Sequence, residues 1–237
     1  MKERFVLKET AVWIAADERK YIEVAKAEIT RQRKELERFV RWQPYFLVAL
    51  ESYRVEDRGN VPAIVRRMAE SAEKFDIGPM SAVAGTLAEF AVEGMRNAGA
   101  TYAVVDNGGD VALITDRDVL VGIYAGESPF SNRIALRITP SSALSGICTS
   151  SGTVGHSISF GSADAATVIS NSASLSDAAA TALCNSVTDA HSLSNAFRSI
   201  NQVEGIKGAL IIYQDVLATW GNMPEIVRLT FEHNTGR

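Results

Sequence analysis

Apolar positions along the chain recur first at strand spacing and then at helix spacing. Phe5-Val-Leu and Ala11-Val-Trp-Ile-Ala flank Lys8-Glu9-Thr10, which predicts an antiparallel pair opening a sheet. Asp17 stands where a helix N-cap would, just before a long charged stretch. Ile22, Ala25, Ile29, Leu36, Phe39 and Val40 then follow at three-, four- and seven-residue spacings. They form one apolar stripe on a helix of about six or seven turns, which Pro44 ends. A second helix begins at Val61-Pro62, with Pro in its first turn and Ile64, Val65, Met68, Ala72 and Phe75 on its buried side. Asp76-Ile-Gly-Pro breaks it. Met80 to Asn97 is again helical and rich in Ala, with Gly99 as its stop.

Strand signals follow. Tyr102–Asp106 and Val111–Ile114 are joined by Asn107-Gly-Gly, a tight-turn sequence. Asp116-Arg-Asp precedes Val119–Tyr124, Arg133–Thr139 alternates, and Leu144–Cys148 runs into a loop. Ala166–Ser170 reads as a short strand, and Leu175–Asp189 as an Ala-rich helix capped by Ser174 or Ser176. His191–Ile200 is expected to be a further helix. Leu210–Gln214, Leu217–Trp220 and Ile226–Phe231 close the chain as strands. Helices set apart from hairpin-connected strands predict an α+β fold with a mostly antiparallel sheet. No compositional linker divides the chain, and no short-period repeat occurs.

Charge changes this picture. The net charge of −4 leaves no global basic field for nucleic acid. Yet residues 1–80 hold 16 of the 24 Lys and Arg, and none lies between Arg137 and Arg198. The basic run Arg31, Arg33 and Lys34 is interleaved with Glu35 and Glu37, which marks a solvated helix face rather than a nucleic-acid or membrane patch. Two cysteines are too few for a disulfide framework or a four-ligand zinc site. No apolar run reaches transmembrane length and no leader-like segment opens the chain. The expectation is a cytoplasmic protein.

Four clusters carry candidate chemistry. In Asp76-Ile-Gly-Pro-Met-Ser81 a turn feeds a helix N-terminus, whose free N–H groups favour an anion; the alternative is a plain connector. Asp106-Asn-Gly-Gly-Asp110 is a hairpin turn, but Asp110 is poor strand material. Thr149–Asp164 packs five Ser, two Thr, three Gly and one His into sixteen residues. Its amides and hydroxyls at Ser150, Ser151, Gly152, Thr153 and Ser157 suit an anionic ligand, and His156 can serve as a proton-transfer residue or a simple loop donor. Asp177 and Thr181 lie four apart on one helix face and offer hard oxygens suited to Mg²⁺; a first-turn acid complementing the helix dipole is the alternative. No G-x-S-x-G elbow supports a Ser–His–Asp hydrolase from Ser151, His156 and Asp177, and no Walker or dinucleotide fingerprint occurs.

Taken in order, Asp76-Ile-Gly-Pro-Met-Ser-Ala-Val-Ala-Gly, Asn107-Gly-Gly-Asp, Thr149-Ser-Ser-Gly-Thr-Val-Gly-His-Ser and the Asp177–Thr181 pair resemble the ApbE-like superfamily. This is the fold of the FAD:protein FMN transferases, and the chain resembles an uncharacterised branch of it. The resemblance spans roughly Asp76 to Val187. It implies two fused T-fold-like units, about 1–125 and 126–237, with a mostly antiparallel sheet, helices on one side and a ligand cleft between the halves. It further implies Mg²⁺ at Asp177 and Thr181, with a backbone carbonyl near Ser81. Gly78, Gly108, Gly109 and Asp110 would face a flavin or other phosphate-bearing ligand. The chain departs from the transferase pattern in carrying Ala82 where a Lys follows the Ser81 position. It also lacks the His-x-x-Asp-Pro-Arg-Thr-Gly segment and the Met-Gly-Thr element, leaving His156 as the stand-in for the missing His. Three readings result: a protein binding an anionic small ligand with Mg²⁺, a flavin transferase, and a non-catalytic member of a multiprotein metabolic complex with a protein partner.

Overall fold

The computed structural model describes residues 1–55, 61–153 and 160–229. Strands β1 (Lys2–Leu7) and β2 (Thr10–Ala16) form the opening hairpin. Helix α1 (Arg19–Trp42) buries Ile22, Ala25, Ile29, Leu36 and Phe39, the stripe read from their spacing. Its N-cap is Glu18, without a side-chain cap bond, because Asp17 turns instead to an ion pair with Arg117. A single turn, α2 (Tyr45–Val48), follows Pro44, where the periodicity predicts none. In α3 (Ala63–Glu73), Pro62 holds the N-cap position rather than the first turn. The helix expected from Met80 to Asn97 splits into a 3₁₀ turn, Pro79–Ala82, and α4 (Val83–Asn97).

Strands β3 (Ala103–Asn107), β4 (Asp110–Thr115), β5 (Val119–Gly122), β6 (Ile134–Ile138), β7 (Ser141–Ser150) and β8 (Ala165–Ser170) come next. Helix α5 (Ala173–Asn185) is capped by Ser172, whose hydroxyl accepts from the Leu175 amide; neither Ser174 nor Ser176 caps it, since both are buried in the helix. The helix expected over His191–Ile200 reduces to one α turn, α6 (Leu193–Ala196), and a 3₁₀ turn, Phe197–Ser199. Strands β9 (Ile206–Tyr213), β10 (Val216–Gly221) and β11 (Glu225–Arg228) end the described chain.

Eight strands form one antiparallel sheet in the order β1-β2-β3-β4-β7-β8-β9-β10, and β11-β6-β5 form a second. The first four strands and the last four share one plan: two paired strands, a helical insertion, then two more paired strands. Strand alternation decides which face meets which layer. Val12, Ile14, Ala103, Val105, Ala112, Cys148, Val168, Ala209 and Ile211 meet α1, α4 and α5 in the main core. On the other face Leu113, Ile147, Ile169, Leu210 and Ile212 meet Ile134, Leu136 and Ile138 of the small sheet. Burying both faces explains why β4 is buried from Val111 to Thr115 and β8 along its whole length, rather than alternating. A third cluster, built on Phe39, Phe46, Ile64, Met68, Leu87 and Phe90, ties α2 and α3 to the ends of α1 and α4. Among the described residues, no helix is long and apolar enough to cross a membrane.

Candidate functional site

A cleft of about 1180 Å³ wraps the turn end of the β3–β4 hairpin. The turn itself is Gly108-Gly109, with φ of 73° and 106°, conformations that need residues without a side chain. Asp106 locks it by accepting from the Gly109 amide at 2.9 Å. Immediately after the turn, Asp110 starts β4 opposite Cys148 of β7. Burial, and then the charge of Asp106, push the Asp110 carboxyl up to about 7, although the nearby Cys148 side chain and the Thr149 amide, which donates to it, pull the other way.

Asp177 enters the same cleft from α5. The first amides of α4 lack partners within their own helix, and its N-cap, Ala82, has no side chain to offer. Asp177 takes that role from another helix: the Gly85 amide donates to its Oδ2 at 2.8 Å, and the Ala84 amide also donates to the carboxylate. Even so, burial and the nearby Asp110 hold Asp177 well above the usual carboxylate range. Two buried acids that repel each other therefore share the floor. The approach is possible because Gly85 lies under α5; a Cβ there would sit 2.3 Å from the Ala173 carbonyl oxygen. Burial, together with Asp110, Asp177 and Glu89, pushes the Cys148 thiol up, so it stays a neutral donor.

The structure brings Gly78, Ser81, Gly108, Gly109, Asp110, Ser150, Ser151, Asp177 and Thr181 together on the cleft wall. Thr181 lies one turn beyond Asp177 and is half-buried. Ser81 turns its hydroxyl back to the Gly78 carbonyl at 2.7 Å. Asp76, Gly152 and Thr153 are not on that wall. Asp76 accepts from Ser52 instead, and the Thr153 hydroxyl donates to Asp164, which anchors the neck of its loop to the Gln214 amide. His156 and Ser157 lie outside the described residues.

Several wall residues take roles that the sequence does not signal. Asn107 donates its side-chain amide to the Ala84 carbonyl at 3.1 Å. Trp13, Leu47, Val48, Leu50, Leu120, Tyr124 and Phe160 make the mouth apolar and each stays more than 40% exposed. Only their convergence from separate segments marks them. Among the described residues, the charged side chains on the wall are Lys2, Glu9, Asp106, Asp110 and Asp177. The single base, Lys2, lies over the Trp13 ring, 4.9 Å from its centroid. The floor is thus acidic, with no cationic side chain beside Asp110 and Asp177 among the described residues.

This donor set fits a hard divalent cation. The Asp110 and Asp177 carboxyls and the Thr181 hydroxyl are oxygen donors, and a cation would offset both the burial and the like charge that raise the two acids. No cluster of three or more His, Cys, Asp and Glu occurs among the described residues.

The family profile described as AbpE bacteria matches residues 2–202. A UPF0280 protein of Methanosarcina acetivorans is 50% identical over 98% of this chain and 91% of its own length. One from Methanococcoides burtonii is 48% identical over 98% of each chain. Among solved structures, the apo flavinyl transferase ApbE of Pseudomonas stutzeri superposes with a TM-score of 0.56 at 12% identity, covering 94% of both chains. The ApbE protein of Thermotoga maritima gives 0.52 at 14% identity, covering 94% of this chain and 96% of that one.

Proposed function

The chain belongs to the family described as AbpE bacteria, and on that premise we propose that its cleft binds a phosphate-bearing small ligand through a divalent cation held at Asp177 and Thr181. The observation that carries this reading is the acidic floor: an anion meets Asp106, Asp110 and Asp177 with no base beside them among the described residues, so it needs a bridging cation. Mg²⁺ suits these oxygens and, when bound, supplies positive charge to phosphate oxygens. The chain's own groups do the rest. With its carboxyl pushed up to about 7 by burial, Asp110 can take up or give a proton near neutral pH. Gly108 and Gly109 let a ligand approach the backbone of the turn. The apolar mouth accepts the ligand's body, and a volume of 1180 Å³ accommodates something as large as a dinucleotide. We further read residues of about 1–125 and 126–237 as two related halves, supported by their shared strand plan.

Calorimetry with MgCl₂ and then FAD as the probe tests this reading. Mg²⁺ at a hundredfold its Kd is expected to stabilise the fold by about 2.7 kcal/mol. FAD is expected to bind only with Mg²⁺ present, and Asp177→Asn is expected to lose both responses. FAD affinity unaffected by EDTA would sink the proposal. A second reading, flavin transfer to a protein acceptor, is favoured by the likeness to the flavinyl transferase structure. It predicts covalent flavin fluorescence on an acceptor protein incubated with this chain, FAD and Mg²⁺; an acceptor that stays unlabelled rules it out.

A further inference from the structure

We propose that Asn107 is the positioning residue for Asp177, and that it sets the affinity of the cleft for a divalent cation through the peptide joining Ala84 to Gly85. The inference rests on the cation reading above and adds to it a residue that neither lines up with Asp177 in sequence nor touches it among the hydrogen bonds described.

One peptide group is held at both ends. Its carbonyl, that of Ala84, accepts from the Asn107 side-chain amide at 3.1 Å. Its N–H, that of Gly85, donates to Asp177 Oδ2 at 2.8 Å. A peptide is planar, so fixing the carbonyl also fixes the direction of the N–H. Hydrogen bonds in such a chain polarise one another in the same sense: donation to the oxygen makes the N–H a better donor. Asn107 thereby orients the Asp177 carboxylate toward the cleft floor. The three groups come from β3, α4 and α5, so the clamp ties the hairpin turn to both helices at the cleft. Gly85 lets this happen, because a Cβ would come within 2.7 Å of Asp177 Cβ and force the helices apart. A purely local role for Asn107 is poorly matched to this geometry. The turn already has its own lock in the bond from the Gly109 amide to Asp106, and the Asn107 side chain points across to α4 instead.

The test is Mn²⁺ affinity, measured by calorimetry and by water-proton relaxation on the full chain, well below the melting temperature. Asn107→Ala is expected to bind Mn²⁺ about 10-fold more weakly, the lower end of the usual cost of losing an outer-sphere partner. Exchange of the Gly85 amide with deuterium is expected to accelerate, while the Gly109 amide, held by Asp106, keeps its wild-type rate. Asn107→Asp provides the second arm should the alanine variant fold poorly. It keeps the shape of the side chain, loses the donor and adds a negative charge. Loss of orientation predicts weaker Mn²⁺ binding, whereas simple charge attraction predicts tighter binding. Wild-type affinity in Asn107→Ala, or tighter binding in Asn107→Asp, overturns the assignment while leaving the cation reading intact. A wild-type protein that binds no Mn²⁺ overturns both.

Discussion

Helices α1 and α5 each follow the first strand pair of their four-stranded part of the sheet, yet they are built on opposite principles. α1 buries one stripe and turns a charged face outward. That face is tied down by ion pairs: Lys26 to Glu3, Arg33 to Glu9, and Lys8 to Glu37. α5 has eleven of its thirteen residues buried and carries no Lys or Arg. It packs by smallness, through Ala173, Ala178, Ala179 and Ala180, each fully buried. Its one acidic side chain, Asp177, is therefore out of keeping with its surroundings. On α1 an acid is ordinary; on α5 it needs a reason. The structure supplies two, the capping of α4 and the acidic floor of the cleft.

The contrast can be broken most directly by filling space. Gly85→Ala puts a Cβ 2.3 Å from the Ala173 carbonyl oxygen, and is expected to cost about 2–3 kcal/mol. Gly94→Ala, on the same helix but facing α1, meets Val24 Cγ1 at 3.4 Å and is expected to be neutral or to gain up to about 1 kcal/mol. Urea unfolding of both variants decides the matter; equal effects would mean the two helix contacts are equally tight.

Next in size is the response to pH in EDTA. Asp110 and Asp177 have folded-state values above their unfolded ones, so the native state binds more protons than the unfolded chain. Their contribution is complete below about pH 4, declines above it, and for Asp110 is lost as pH rises through about 7. Asp177→Asn keeps an acceptor for the Gly85 amide and removes one charge. Without divalent cation at pH 8 its melting temperature is expected to rise by about 2–4 °C. A fall would show that capping outweighs repulsion. The smallest effect belongs to α1: Lys26→Gln is expected to lose less than about 1 kcal/mol, and less still in high salt.

What the sequence makes legible divides along the same line. The stripe of α1, the Asn107-Gly-Gly turn and most strands depend on neighbours within a few residues, and their periods or turn chemistry expose them. Asp177 and Thr181 also stand out, because acids are so sparse between Arg137 and Arg198. The small sheet does not show itself, since β11 pairs with β6 across about ninety residues of chain. Nor does the capping of α4 by Asp177, which no spacing encodes, or the reach of Asn107 to Ala84. Ser172 was hidden by richer candidates, because its neighbours Ser174 and Ser176 are equally good caps by type. The apolar mouth is assembled from single residues of otherwise unremarkable segments.

Cys148 has one more use. Its thiol is wholly buried between β7 and the start of α5, donating to the Ala173 carbonyl at 3.3 Å, and burial keeps it protonated. A thiol reagent in solution can reach it only when the helix lifts from the sheet. The rate of alkylation at that sulfur is then a clock for this single opening event. Slower labelling when Mg²⁺ is added would time how firmly an occupied floor holds the two layers shut.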